Sequence, residues 1–84
     1  MSEAIARSEK QIGAILRRIR KQSDLSQAAL GERIHMRQGT ISRLEAGEPA
    51  MQLHTLFEVL AALELELVVR PRQQTAASDI EDLF

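Results

Sequence analysis

The stretch LSQAALGERIHMRQGTISRLEAG, residues 25–47, decides the fold of this chain. Ser26 is a favoured helix N-cap residue and precedes a short run with helical spacing of apolar residues, which predicts a helix over 27–34. A second helix is predicted over 38–46, where Gly47 supplies a left-handed end. Because so few residues separate these helices, the sequence predicts a tight helix-turn-helix corner.

Two further helices flank this corner. Ser8 and Gln11 form a capping-box pattern, and the apolar residues that follow recur at helical spacing, which predicts a helix over 9–22. A broad apolar stripe predicts a packing helix over 53–63. The predicted fold class is mainly α, a helix-turn-helix domain of four to five helices.

The segment after the last helix, LELELVVRP over residues 63–71, alternates apolar and charged residues with the period of a β-strand. The sequence contains no second strand to pair with it, so a two-fold-related copy in a homodimer would complete an intermolecular two-stranded ribbon. The alternative is that residues 63–69 extend the fourth helix, since Leu and Glu are good helix formers. The predicted dimer strand contains Leu65, Glu66, Leu67, Val68 and Val69.

The ends of the chain are expected to lie outside this domain. We predict an N-terminal arm over 1–8, a helix-turn-helix and dimerisation domain over 9–71, and a flexible acidic tail over 72–84. The closing IEDLF is either a short partner-binding peptide or a terminus without a role. The apolar residues of that candidate peptide are Ile80, Leu83 and Phe84.

Charge is distributed unevenly along the 84 residues. Residues 1–50 carry nine lysines and arginines against six acids, a balance of +3, whereas residues 51–84 carry two against six, a balance of −4. The excess of basic residues over 1–50 favours binding to phosphate groups. The alternative is that these charges form an ordinary solvated surface without a ligand.

The absence of cysteine excludes disulfides and cysteine-ligated zinc. With neither a signal peptide nor an apolar run of about 20 residues, we expect a cytoplasmic, nucleoid-associated protein.

Residues 25–47 resemble the helix-turn-helix of the phage-repressor-like family, also called the xenobiotic-response-element type. With its helical context, the resemblance covers about residues 9–63. Three positions depart from the family pattern: Gly31 replaces alanine, His35 stands where a turn glycine with positive φ is usual, and Arg37 replaces a capping Ser or Thr. The positions on the pattern are Arg20, Leu25, Ser26, Gln27, Leu30, Ile41, Ser42, Glu45 and Gly47.

This resemblance implies that the third helix enters the major groove and reads base edges. Gln38 would bond to adenine and Arg43 to guanine, while Gly39 would admit a thymine methyl group or leave its base unread. Thr40 and Arg37 would hold phosphates. The resemblance also implies a partly buried salt bridge between Arg20 and Glu45. Gln27 would contact a phosphate. The implied DNA-binding residues are therefore Gln27, Arg37, Gln38, Gly39, Thr40, Ser42 and Arg43.

The end of the domain, FEVLAALELELVVRPR, resembles HipB-type antitoxins. That resemblance implies a dimeric repressor of its own operon, which binds a palindromic operator and a HipA-family serine/threonine kinase toxin. The alternatives are a free-standing repressor without a toxin and a protein-interaction adaptor that has lost DNA binding. His35 and His54 are the only histidines, so we expect no catalytic site, metal or cofactor.

Overall fold

Four helices make up most of residues 3–73, the part of the chain that the computed structural model describes. They are α1 (Glu9–Gln22), α2 (Gln27–Arg33), α3 (Gln38–Ala46) and α4 (Leu53–Ala62). The mainly helical helix-turn-helix fold is therefore confirmed. The predicted bounds of α1 and α3 match, whereas α2 and α4 each end one residue earlier than predicted. The candidate tail peptide lies outside the described residues.

Side-chain caps start two of the helices, as predicted. The Ser8 hydroxyl accepts a hydrogen bond from the Gln11 backbone N–H at 3.1 Å, and the Ser26 hydroxyl accepts one from the Ala29 N–H at 3.0 Å. Arg37 provides no side-chain cap to α3. The first N–H groups of α3 therefore keep free hydrogen-bonding capacity at the surface.

Each of the four helices ends in the same way. A residue with positive φ follows the last turn, and the next N–H bonds back to a carbonyl five residues earlier, as in Leu65 to Leu60 at 2.8 Å. This is the Schellman motif, which satisfies carbonyls that the helix leaves unpaired. The positive φ expected at His35 is confirmed at 59°. The four left-handed residues are Asp24, His35, Gly47 and Glu64.

One apolar cluster joins all four helices. Helix α1 packs against α3, and α2 packs against both α3 and α4. The crossing of α1 and α3 is close because Gly13 has no side chain: a Cβ there would lie 2.6 Å from the carbonyl oxygens of Leu44 and Glu45. The core residues are Leu16, Leu30, Ile41, Leu44, Val59, Leu60 and Leu63.

Gly31 in α2 is explained by packing and not by helix propensity. Gly31 is buried, and a Cβ at this position would collide with the carbonyl oxygen of Met36 in the turn. The Gly31 carbonyl also accepts the Met36 N–H at 2.7 Å. Glycine therefore costs α2 some propensity but allows the chain to fold tightly back towards α3.

The segment after α4 is not helical, so the alternative that residues 63–69 extend that helix is wrong. Leu63 caps α4, and Glu64 adopts a φ of 60°, which turns the chain out of the helix. Residues 65–70 have neither helix nor strand hydrogen bonding in the described chain. The intermolecular strand stays a prediction, because a single chain contains no partner for it.

Candidate nucleic-acid interface

A buried ion pair anchors α3 to α1. The Arg20 guanidinium donates from Nε to Glu45 Oε2 at 2.6 Å and from Nη2 to Glu45 Oε1 at 3.0 Å. The side chains are only 7% and 3% exposed. A third Arg20 donor, Nη1, reaches the Leu25 carbonyl at 2.7 Å in the loop before α2. One side chain thus holds α1, the loop and α3 in a fixed relation.

The Glu45 carboxyl stays ionised in this setting. Burial raises the pKa of this carboxyl. Hydrogen bonds from Arg20 and Gln27, with the charges of Arg20 and Arg17, outweigh that effect, so the pKa lies below the usual 4.5. At neutral pH the group is therefore a carboxylate, which can accept hydrogen bonds but cannot donate them.

Gln27 extends this polar cluster to the surface. Its Nε2 donates to Glu45 Oε1 at 3.0 Å, and its Oε1 accepts from Gln38 Nε2 at 3.4 Å. The sequence suggested only a phosphate contact for Gln27. The structure adds an internal role, because this half-buried amide lies between the ion pair and the start of α3.

The first half of α3 presents its polar residues to solvent. Gly39 opens a space beside the helix, and the nearest neighbour of a Cβ there would be Arg43 Nη1 at 3.6 Å. Arg43 Nε lies 3.9 Å from Glu48 Oε1, but both side chains are half or more exposed, so this pair is weak. The implied DNA-contacting residues of α3 and its cap are therefore largely accessible to solvent. Arg37, Gln38, Gly39, Ser42 and Arg43 are exposed and Thr40 is half-buried.

A second exposed surface lies on the segment after α4, and it is apolar. The side chains of Leu67, Val68 and Val69 are 47%, 68% and 90% exposed. Leu65, by contrast, is half-buried and packs against the core. Of the apolar residues in the predicted strand, Leu65 is therefore covered by the core of its own chain, whereas the later ones are uncovered. Glu66 is also exposed.

The N-terminal arm lies beside this segment. Arg7 Nη2 donates to the Gln73 carbonyl at 3.0 Å, and Arg70 Nη1 donates to Glu3 Oε1 at 3.3 Å.

Residues 3–73 contain no cluster of acidic or histidine side chains that could hold a metal ion. Across the same residues, no helix combines the length and the apolar character needed to cross a membrane.

Comparisons with known proteins agree with this geometry. Among solved structures, the chain is similar to a HipB variant in an O2 20mer complex, with a TM-score of 0.80, 29% identity and coverage of 86% of this chain and 100% of that one. It is also similar to a chain of the HipA-HipB-O2-O3 complex and to HipB in an O4 20mer complex. Each has a TM-score of 0.77, 28% identity and coverage of 82% and 97% of the two chains.

No curated protein sequence gives a significant match. A helix-turn-helix family model matches residues 16–69, which include the second half of α1, all of α2 to α4 and the exposed apolar segment. The expected resemblance to repressors of this type and to HipB is thereby confirmed. The chain belongs to the helix-turn-helix family.

Proposed function

We propose that this chain is a dimeric, sequence-specific DNA-binding repressor that reads its operator with α3. The observation that carries the proposal is the exposed polar surface at the start of α3, held in place by the buried Arg20–Glu45 pair. Rigid support matters because base reading requires side chains at fixed positions relative to the groove. The proposal assigns the chain a regulatory role and no catalysis.

The chemistry of the exposed residues suits the major groove. Gln38 offers an amide that can bond bidentately to adenine, and Arg43 offers a guanidinium that can bond bidentately to guanine, each discriminating by about 1–3 kcal/mol. Gly39 leaves room for a thymine methyl group between them. Arg37, Thr40 and Gln27 would hold phosphates.

The N-terminus of α3 would also contribute to phosphate binding. The helix starts without a side-chain cap and has no acidic residue in its first turn. Its N-terminal N–H groups and the positive end of its dipole therefore remain available to an anion. An Arg at the cap position favours phosphate, whereas a capping Ser or Thr would occupy one of those N–H groups itself.

Dimerisation would use the apolar segment after α4. Exposed valine and leucine side chains at 67–69 and unpaired backbone groups would both be satisfied by a second copy of the same segment. Two α3 helices would then meet two half-sites of a palindromic operator. The similar HipB structures are complexes with O2, O3 and O4, in line with such a role.

We further propose that the chain is the antitoxin of a HipA-family serine/threonine kinase. The support is similarity to a chain of a solved complex that contains HipA as well as HipB. Co-expression with a kinase encoded beside this gene, followed by purification of the complex, tests this point. A free-standing repressor would leave such a kinase unbound, and its toxicity would be unchanged by this chain.

The experiment that tests DNA binding uses duplexes from the region upstream of the gene at two salt concentrations. We expect tight, sequence-selective binding that weakens with salt, because phosphate contacts release counterions. The double variant Gln38→Ala/Arg43→Ala should lose selectivity. The matched control, Arg72→Ala/Gln73→Ala, removes the same residue types from the C-terminal segment and should retain it. Equal, weak binding of the unmodified protein to every duplex would contradict the proposal.

A further inference from the structure

We infer that Glu48 is a specificity-determining residue: it competes with phosphate for Arg43 and so weakens binding to non-specific DNA more than binding to the operator. This role deepens the proposed function and rests on it. Between His35 and Gln52, Glu48 is the only exposed acidic residue. An acid beside a surface that binds DNA repels phosphate, which lowers affinity for every sequence unless something confines the effect. The position of Glu48 relative to Arg43 confines it.

The backbone fixes Glu48 beside Arg43. Gly47 ends α3 with a φ of 78°, and the next N–H, that of Glu48, bonds back to the Arg43 carbonyl at 3.2 Å. Gly47 is buried, and a Cβ there would lie 2.5 Å from the Lys10 Cα, so only glycine fits this turn. Pro49 then disfavours a helical backbone at Glu48. The carboxylate is therefore held near the end of α3 without depending on its own ion pair.

The Arg43 guanidinium lies between Glu48 and the bare backbone of Gly39. Its Nε is 3.9 Å from Glu48 Oε1, and its Nη1 is 3.6 Å from the position that a Gly39 Cβ would occupy. Nε therefore faces the carboxylate, whereas Nη1 faces a helix surface that no side chain at position 39 covers. Nη1 and Nη2 can bond together to guanine O6 and N7 while Nε stays directed to Glu48.

Guanine and phosphate differ in charge, and Glu48 separates them on that basis. Guanine O6 and N7 belong to a neutral base, so Arg43 can bind them and keep its partner. A phosphate carries a negative charge, so it competes with the carboxylate for the guanidinium and is repelled by it. The groove beside α3 has Arg37, Thr40, Arg43 and Glu48 among its lining residues, so phosphates held there would approach Glu48. On DNA without the correct guanine, Glu48 therefore opposes the phosphate contacts that remain.

The pair is weak enough to act in this way without blocking the operator. The side chains of Arg43 and Glu48 are 56% and 50% exposed, and an exposed pair changes an equilibrium by at most about fivefold. A buried pair such as Arg20 and Glu45 would hold its arginine away from any DNA.

The test uses Glu48→Gln, which keeps the size of the side chain and removes its charge. The probes are a duplex selected by the unmodified protein from a random-sequence pool, and a duplex of the same composition in scrambled order. Fluorescence anisotropy at several salt concentrations gives the affinity and its salt slope for each duplex. The matched control is Glu64→Gln, which removes the same charge from an exposed position after α4. Circular dichroism establishes that each variant is folded.

We expect Glu48→Gln to tighten binding to the scrambled duplex by about three- to fivefold, and binding to the selected duplex by less than about twofold. The salt slope on the scrambled duplex should steepen by about 0.9, the contribution of one additional phosphate contact. In an Arg43→Ala background, the effect of Glu48→Gln on the scrambled duplex should fall to that of Glu64→Gln, because the arginine in competition is gone.

Equal tightening on both duplexes would overturn the inference, as would the same gain on the scrambled duplex with and without Arg43. Either result would leave Glu48 as a general repulsive charge. Neither would affect the proposed function, because the unmodified protein would still prefer the selected duplex. Failure of the unmodified protein to select any duplex from the pool would overturn both.

Discussion

The start of α3 and the segment after α4 are both exposed, but they are exposed in different ways. The residues of α3 are polar and lie on a helix that a buried ion pair holds against α1. The residues at 67–69 are apolar and lie on a segment without regular hydrogen bonding in the described chain. The first surface can remain hydrated until a polar ligand arrives, whereas the second needs apolar cover. We therefore propose DNA as the ligand of the first surface and a second copy of this chain as the partner of the second.

The largest expected effect comes from the support beneath α3. Arg20→Ala would leave the Glu45 carboxylate buried without its partner, which should lower the free energy of unfolding by about 3–5 kcal/mol. Urea titration followed by circular dichroism measures this loss. The control is Arg70→Ala in the C-terminal region, whose pair with Glu3 is exposed and is worth at most about 1 kcal/mol. Equal losses in the two variants would contradict the contrast between the two regions.

The next effect concerns association of two chains. Val69 is 90% exposed in the single chain, and burying a valine contributes about 1.5–3 kcal/mol. Val69→Asp removes this contribution twice in a symmetric dimer, so the dissociation constant should rise at least about a hundredfold. Sedimentation equilibrium measures it. Arg72→Asp, which introduces the same side chain three residues later, should dimerise normally, and a Val69→Asp variant that does so too would exclude this segment as the interface.

A smaller and opposite effect is expected at the turn between α2 and α3. His35 has a φ of 59°, a conformation that costs a side-chain-bearing residue about 1 kcal/mol. His35→Gly should therefore raise the melting temperature by several degrees. Glu64→Gly, at a φ of 60° before the apolar segment, should do the same. His35→Ala is the control and should bring no gain; equal melting temperatures for the Gly and Ala variants would show that the turn stores no such strain.

The smallest effect is the response of stability to acid. The pKa of Glu45 is lowered in the folded chain, so its contribution to stability is complete above its usual value of 4.5 and is lost as pH falls through the folded pKa. Unfolding free energies measured from pH 7 downwards should therefore decline more steeply than in the double variant Arg20→Met/Glu45→Leu. Identical pH profiles for the two proteins would mean that Glu45 titrates normally.

Local signals predicted most of the helical fold. Ser8 and Ser26 cap the helices that they precede, Gly47 ends α3, and His35 adopts the left-handed conformation expected where the family pattern has glycine. The left-handed end at Asp24 was not predicted, although Asp is enriched in this conformation, and the one at Glu64 had no such signal because Glu is a good helix former. The helical alternative for residues 63–69 failed for this reason: propensity favoured it, but the chain turns at Glu64.

The contacts beneath the candidate site could be predicted only in part. The Arg20–Glu45 pair followed from a family resemblance, since residues 25 positions apart carry no local signal of contact. The bonds from Gln27 to Glu45 and from Gln38 to Gln27 depend on the packing of α2 against α3 and were missed. The need for Gly31 was also hidden, because the clash that it avoids involves the backbone of the turn.

Hydroxyl-radical footprinting on the duplex selected by this protein tests most directly whether two chains, joined by their C-terminal segments, read DNA with two α3 helices. We expect two protected patches on one face of the duplex, separated by about 34 Å or a multiple of it. Both should weaken together in Val69→Asp. A single patch protected by one chain, with unchanged affinity in Val69→Asp, would contradict the dimeric repressor.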